Sequence, residues 1–230
     1  MGWMARPGNL AARGPLVQNG GNDFCSRVLS EDFVTALASS VSILVLDAGG
    51  TPRRWIGLEE AVGYYCKEQV AWDYGEHSFT LRGGISRASG LQSSLTLRSI
   101  VAVRGDRAHR APAVTVPALT REMLFARDCH VCAYCGRKLR PAELTAEHVR
   151  PRSRGGKTSW TNLVSACKPC NLRKGDRSPE QARMPLLYVP YVPSLCEAFI
   201  LRNRRILADQ MAFLMVGVPA GSRLRDPYQA

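Results

Sequence analysis

Apolar and polar residues follow two different periods in the first half of the chain. Short apolar runs bounded by polar or turn-forming residues are typical of β-strands. The strands predicted in this way are residues 41–46, 70–74, 79–82 and 95–103. Between them, apolar residues at 58, 61, 62 and 65 have the spacing of one helix face. These elements predict a small α+β domain at residues 35–105.

The segments on either side of this domain lack a regular apolar pattern. Residues 1–34 begin with a stretch rich in Gly, Asn and Arg, which predicts a flexible N-terminal segment. Residues 106–119 contain two prolines and are predicted to form a linker.

The second half of the chain has clear helix start signals. Thr120 precedes an amphipathic stretch as a helix cap would, a strand is expected at 144–149, and a helix is expected to begin near Lys168. These elements predict a second domain at residues 120–187. Residues 188–230 are expected to form a C-terminal helix and a tail, with one long helix from Ser194 to about residue 214.

Two Cys-x-x-Cys pairs, Cys132/Cys135 and Cys167/Cys170, lie 31 residues apart in the second domain. Four thiolates in two such pairs are typical of a tetrahedral structural zinc site. Disulfides are the alternative, but they are typical of secreted chains. Cys129 could replace Cys135 as the partner of Cys132, and we favour Cys135 because the glycine that follows it permits a sharp turn. The remaining cysteines, predicted to be buried thiols, are Cys25, Cys66 and Cys196.

Positive charge is concentrated around the cysteine pairs. The chain has a net charge of +12 and a pI near 9.7, and residues 137–177 hold 11 Lys and Arg against three acidic residues. Such clustering favours a nucleic acid as partner. The longest apolar run, residues 211–218, is too short to span a bilayer, and no secretory signal is visible. We therefore expect no membrane partner and a cytoplasmic location.

The residues between the cysteine pairs have the chemistry of phosphodiester hydrolysis. His148 is suited to take a proton from water at neutral pH. Glu147 points to the other face of the same strand and can hold a divalent cation, with Asn171 giving an amide oxygen. Asn162 can hydrogen-bond backbone across the loop and fix the strand. A Glu-His pair alone is most simply an exposed charged pair, but in this setting we favour catalysis.

The segments Cys132-Ala-Tyr-Cys-Gly, Leu144-Thr-Ala-Glu-His-Val, Trp160-Thr-Asn-Leu-Val and Ala166-Cys-Lys-Pro-Cys-Asn closely resemble the zinc-containing HNH endonucleases, over residues 120–187. The resemblance implies a ββα-metal fold and DNA cleavage. It implies that His148 is the general base, that Asn162 orients the loop, and that Glu147 and Asn171 are ligands of the catalytic metal. Two departures stand out, because this family usually has Asp at 147 and often His at 171. Ligands that are all oxygen favour Mg²⁺ or Mn²⁺ at this second site.

Six basic residues flank the predicted site and are expected to contact DNA phosphates: Arg150, Arg152, Arg154, Lys157, Arg173 and Lys174. The alternative to an endonuclease is a zinc-ribbon module that binds DNA without cleaving it. An acid near phosphate favours the enzyme, because its charge repels DNA unless a cation lies between them. Target site, nicking or double-strand cleavage, oligomeric state and biological role are left open.

Overall fold

The structure, a computed structural model, describes residues 17–18, 41–85, 87, 90–104 and 116–225. The chain divides into two compact units: Met1–Ala113 with Arg205–Phe213, and Val114–Arg204 with Leu214–Ala230. Both helices and strands build the fold, so the predicted α+β class is confirmed.

A five-stranded sheet forms the centre of the first unit. Its strands are β1 (Val17–Gln18), β2 (Ile43–Asp47), β3 (Pro52–Ile56), β4 (Val70–Ile85) and β5 (Gln92–Val103). The order is β1-β5-β2-β3, and β4 also pairs with β5. β2 runs parallel to β5, whereas the other pairs are antiparallel.

Helix α1 (Leu58–Cys66) packs its apolar side against this sheet. The core between them includes Ile43, Val45, Ala61, Val62, Tyr65, Leu97 and Val101. Gln210, from the separate segment of this unit, donates its side-chain amide to the carbonyls of Ser42 and Ser99 at 2.8 Å each. These bonds attach residues 205–213 to the sheet.

Several sequence predictions for the first unit need correction. Residues 70–82 lie in one irregular strand, β4, whose pairing with β5 is shifted between Tyr74 and Ser78, and not in two strands. Cys66 is disulfide-bonded, so the prediction of a thiol there is wrong. Val17–Gln18, within the predicted flexible segment, is a strand. Cys25 and most of residues 1–34 lie outside the described residues.

The second unit contains a two-stranded hairpin and several short helices. Its elements are α2 (Arg121–Arg127), β6 (Leu144–His148), β7 (Leu163–Cys167), α3 (Lys168–Lys174), α4 (Pro179–Ala182) and α5 (Leu195–Arg202). Strands β6 and β7 are antiparallel, with Leu144 opposite Cys167 and His148 opposite Leu163. The core between the hairpin, α2 and α5 consists of Met123, Leu124, Phe125, Leu144, Trp160, Leu163 and Ala198.

The single C-terminal helix predicted from Ser194 to about residue 214 is wrong. Helix α5 ends at Arg202, Asn203 is extended, and α6 (Ala208–Val216) begins a new helix. Gln210 explains the second start, because its side-chain oxygen accepts a hydrogen bond from the Leu207 amide at 3.0 Å, as in a capping box. No helix in the part of the chain that the structure describes is long and apolar enough to cross a membrane.

Candidate metal centre and active site

The first cysteine knuckle is a tight turn at the end of a short bridge between Val131 and Lys138. Gly136 adopts a φ of +73°, a conformation that glycine accepts without strain, and its amide donates to the Cys132 carbonyl at 3.0 Å. The Cys132 amide in turn donates to the Arg137 carbonyl at 2.9 Å. This turn brings the two sulfurs of the first pair to one side.

The second knuckle joins strand β7 to helix α3. Cys167 is the last residue of β7 and the N-cap of α3, and Cys170 lies in the first turn of that helix. Since Cys167 lies opposite Leu144 in the hairpin, the knuckle fixes the helix to the strand pair.

All four sulfurs of Cys132, Cys135, Cys167 and Cys170 lie within 4.8 Å of one another. The Sγ atoms of Cys135 and Cys167 are 3.9 Å apart. Ligands about 2.3 Å from a tetrahedral zinc would lie about 3.8 Å from each other, so the sulfurs fit this metal. The predicted four-cysteine cluster is confirmed, and Cys135 is the partner of Cys132.

Arg137 places positive charge beside this cluster, with Nη2 at 3.8 Å from Cys167 Sγ. Burial raises the pKa of the Cys135 thiol, but hydrogen bonds from the Arg137 backbone and side chain outweigh it and lower that pKa to about 6. The Cys135 thiolate, the form that binds metal, is thus favoured at neutral pH, whereas burial raises the pKa of the Cys132 and Cys170 thiols.

Glu147 and His148 end strand β6 on opposite faces. Glu147 is buried, and its Oε1 accepts a hydrogen bond from Lys174 Nζ at 2.6 Å. The same ammonium donates to the His148 carbonyl at 2.8 Å. Among the described residues, Oε2 of Glu147 has no hydrogen-bond partner, so this oxygen is the one left for a cation.

The position of Lys174 differs from the prediction that this residue contacts DNA. Its side chain is 0% exposed, and its ammonium is used by Glu147 and His148. A group placed in this way does not reach a phosphate on the surface.

His148 lies at the edge of the site, partly exposed. Its Nε2 is 2.9 Å from the Oγ1 atom of Thr158, a residue that no sequence pattern selects. Burial lowers the pKa of the His148 imidazole, and the charges of Arg152 and Lys174 lower it further, whereas Glu147 raises it; the net pKa lies below the ordinary value. The lowered pKa favours the neutral imidazole, which is the form that can accept a proton.

The amide of Asn171 has a fixed orientation. Thr145 Oγ1 donates its only proton to the Ala166 carbonyl at 3.0 Å. It must therefore accept the bond from Asn171 Nδ2, at 2.9 Å. The NH₂ group of Asn171 is held by strand β6, and its Oδ1, which has no hydrogen-bond partner in the described part of the chain, is available to a metal. Thr145, which sequence reasoning missed, thus positions a predicted ligand.

Asn162 holds the loop between the two strands. Its Oδ1 accepts from the Arg150 amide at 2.8 Å, and its Nδ2 donates to the carbonyls of Arg150 and Lys157 at 3.1 and 2.8 Å. The loop also needs Gly156, because a Cβ there would lie 1.9 Å from the Arg150 carbonyl oxygen. This loop carries Thr158, the hydrogen-bond partner of His148.

The other predicted DNA contacts are exposed: Arg150, Arg152, Arg154, Lys157 and Arg173. Two of them also support the loop, since Arg150 Nε donates to the Arg154 carbonyl and Arg154 Nη1 donates to Gln181 Oε1, each at 2.9 Å. The backbone carbonyls of Arg152 and Lys157 accept hydrogen bonds within the loop, but their side chains have no hydrogen-bond or ion-pair partner among the described residues.

Arg127, which the sequence did not mark as important, connects several parts of the unit. Its side chain is fully buried and forms a 2.8 Å ion pair with Asp128. It also donates to the carbonyls of Trp160, Leu163 and Tyr191 at 2.7–2.9 Å. Of these carbonyls, that of Leu163 belongs to strand β7, and that of Trp160 lies in the segment just before this strand.

A hairpin followed by a helix, joined by four thiols that could hold a metal ion and bearing an acid, a histidine and an asparagine, defines a ββα arrangement. Residues 132–187 match the family model described as HNH endonuclease. The chain therefore carries a domain of the HNH endonuclease family, a family that acts on nucleic acid, over less than half of its length. No curated protein sequence matches the chain significantly.

Proposed function

We propose that this protein is a metal-dependent DNA endonuclease, with His148 as general base and with Glu147 and Asn171 as ligands of a catalytic Mg²⁺ or Mn²⁺. The proposal is carried by the groups that come together where strand β6 packs against helix α3. There a histidine with a lowered pKa, a carboxylate oxygen without a partner among the described residues and an oriented amide oxygen belong to one unit that also carries the four clustered thiols. A cation held by those oxygens would supply Lewis-acid stabilisation of charge on the scissile phosphate.

The direction of the hydrogen bond between His148 and Thr158 decides which ring nitrogen of His148 is basic. If Nε2 carries the ring proton and donates it to Thr158 Oγ1, the lone pair of the neutral imidazole is on Nδ1. Nδ1 is then the atom that accepts the proton of the attacking water. Asn162 supports this step indirectly, because it fixes the loop that carries Thr158.

The exposed cations of the loop and helix form the proposed DNA surface: Arg150, Arg152, Arg154, Lys157 and Arg173. Contacts of this kind bind phosphate without reading sequence. Arg152 contributes both to DNA binding and to catalysis, because its charge also lowers the pKa of His148.

One observation favours the second candidate, a zinc-ribbon module that binds DNA without cleaving it. Lys174 already neutralises Glu147, so the carboxylate can lie near DNA without a bridging cation. The unpaired Oε2 and the oriented Asn171 amide favour the enzyme, because a binding module needs neither.

The test compares supercoiled plasmid incubated with wild type and with His148→Ala, in Mg²⁺, Mn²⁺ or EDTA. We expect metal-dependent nicking or linearisation that falls by at least about a hundredfold in the variant, as is usual when a general base is removed. DNA binding should be retained by the variant. Equal cleavage by both proteins would exclude His148 as the base, and retained binding without any cleavage would support the zinc-ribbon module.

The cytoplasmic location stays a prediction. The nucleic-acid substrate of the family favours it, whereas the disulfide at Cys66 counts against a reducing compartment, where protein thiols are kept reduced.

A further inference from the structure

A buried ammonium lies against the carboxylate that the proposed function assigns to the metal. The Lys174 side chain is 0% exposed, and that of Glu147 is 11% exposed. Lysine is seldom buried without a partner, because its ammonium loses strong hydration. Here the ammonium is matched by Glu147 Oε1 at 2.6 Å and by the His148 carbonyl at 2.8 Å.

This pairing limits what Glu147 can offer to a cation. Because the Lys174 ammonium lies against Oε1, a cation at that oxygen would meet a positive charge directly, so the carboxylate binds a metal through Oε2. A single carboxylate oxygen, with other positions left to water, is a usual arrangement for Mg²⁺. Bidentate binding, which larger cations such as Ca²⁺ accept, would require Lys174 to leave.

The pairing also places a positive charge a few ångströms from any cation bound at Oε2. Like charges at such a distance repel each other, most strongly where water is excluded. The same contact holds Glu147 and the end of β6 in place when no cation is present. Lys174 therefore prepares the site and weakens its hold on the cation.

We propose that Lys174 is a positioning residue that sets the affinity of the nuclease site for its divalent cation, by restricting Glu147 to one metal-binding oxygen and by repelling the bound charge. The inference rests on the proposed function, in which Glu147 is a metal ligand. Its consequence is a weak, readily exchanging cation that binds through Oε2 of Glu147.

The test measures Mn²⁺ affinity on the full, zinc-loaded chain in the absence of DNA, by electron paramagnetic resonance. Lys174→Met should bind Mn²⁺ at least about tenfold more tightly than wild type, because one repelling charge is gone and both oxygens become available. Lys168→Met is the matched control, since it removes the same charge from an exposed position on the same helix. It should change the affinity by less than about twofold.

Glu147→Gln separates the two proposals. If it abolishes Mn²⁺ binding while Lys174→Met leaves affinity unchanged or weaker, the inference about Lys174 is overturned and the metal site stands. If wild type binds no Mn²⁺, or binds it independently of Glu147, the proposed metal site fails and the inference fails with it.

A measurement on wild type covers the case in which Lys174→Met does not fold. The ¹⁵N signal of the Lys174 ammonium should be visible, because a buried, hydrogen-bonded ammonium exchanges its protons slowly. With added Mg²⁺ this signal should shift to saturation and persist, as the ammonium keeps Oε1 while the cation takes Oε2. A signal that does not move, or that disappears, would overturn the proposal.

Discussion

The site depends on two side-chain groups that are not part of it, the guanidinium of Arg127 and the hydroxyl of Thr145. Neither has a sequence signature. Arg127 is the last residue of an ordinary amphipathic helix and, from the sequence, could equally be an exposed charge. Thr145 is one of several hydroxyl residues near the cysteines. Their roles become visible only when the hairpin brings distant carbonyls and amides to them. His148, Glu147 and the four cysteines, in contrast, could be selected from the sequence because their spacing is specific.

Replacing Arg127 should destabilise the second unit strongly. Arg127→Met leaves Asp128 buried with an unpaired charge and removes the donor from three carbonyls, a loss of about 3–5 kcal/mol in the free energy of unfolding. Urea denaturation measures it. Arg202→Met, which removes an exposed arginine, is the control and should leave the midpoint unchanged. A small effect at Arg127 would mean that the buried network adds little stability.

At the scale of elements, the hairpin and the helix that follows it were predictable and the strands of the first unit only partly so. The cysteine knuckles fix the ends of β7 and α3, and Thr120 and Ser194 cap helices where the sequence indicates. β3, with Arg53 and Arg54 in five residues, has no apolar period. Its position comes from pairing with β2, which is a tertiary effect that local patterns do not contain.

Cys135 and Cys129 are the two possible partners of Cys132 in the first knuckle, and the two alternatives predict different zinc contents for their serine variants. Cys135→Ser removes one sulfur of the observed cluster and should bind zinc substoichiometrically, with loss of cooperative unfolding of the second unit. Cys129→Ser is the matched control, because Cys129 lies outside the cluster, and it should retain about one zinc per chain. Atomic absorption on purified protein measures both. Zinc lost from Cys129→Ser and kept by Cys135→Ser would reverse the assignment.

For the whole molecule, net charge predicts the partner but not the role of each cation. The count of Lys and Arg indicated nucleic acid, yet Lys174 is internal and Arg127 is part of the core. Sequence alone could not separate these from exposed cations, because burial is set by the packing of the hairpin and helices. The sequence also gives no function for the first unit, whose sheet carries no recognised motif.

DNA affinity should fall steeply with salt, and the slope should depend on the loop cations. Each phosphate contact contributes about −0.9 to the slope of log affinity against log salt for duplex DNA. Lys157→Met should therefore make the slope shallower by about one unit. Lys67→Met, an exposed lysine of the first unit, should leave it unchanged. Fluorescence anisotropy at several salt concentrations gives the slopes, and identical slopes for wild type and Lys157→Met would remove the loop from the DNA surface.

The convergence of the ligand oxygens on one ion can be measured directly by crystallography of the protein soaked with Mn²⁺, using the anomalous signal of the metal. The account predicts a manganese peak bonded to Glu147 Oε2 and Asn171 Oδ1 at about 2.1–2.2 Å, beside the imidazole of His148, and separate from a zinc peak among the four sulfurs. A map with zinc in place but without manganese at residues 147 and 171 would contradict it.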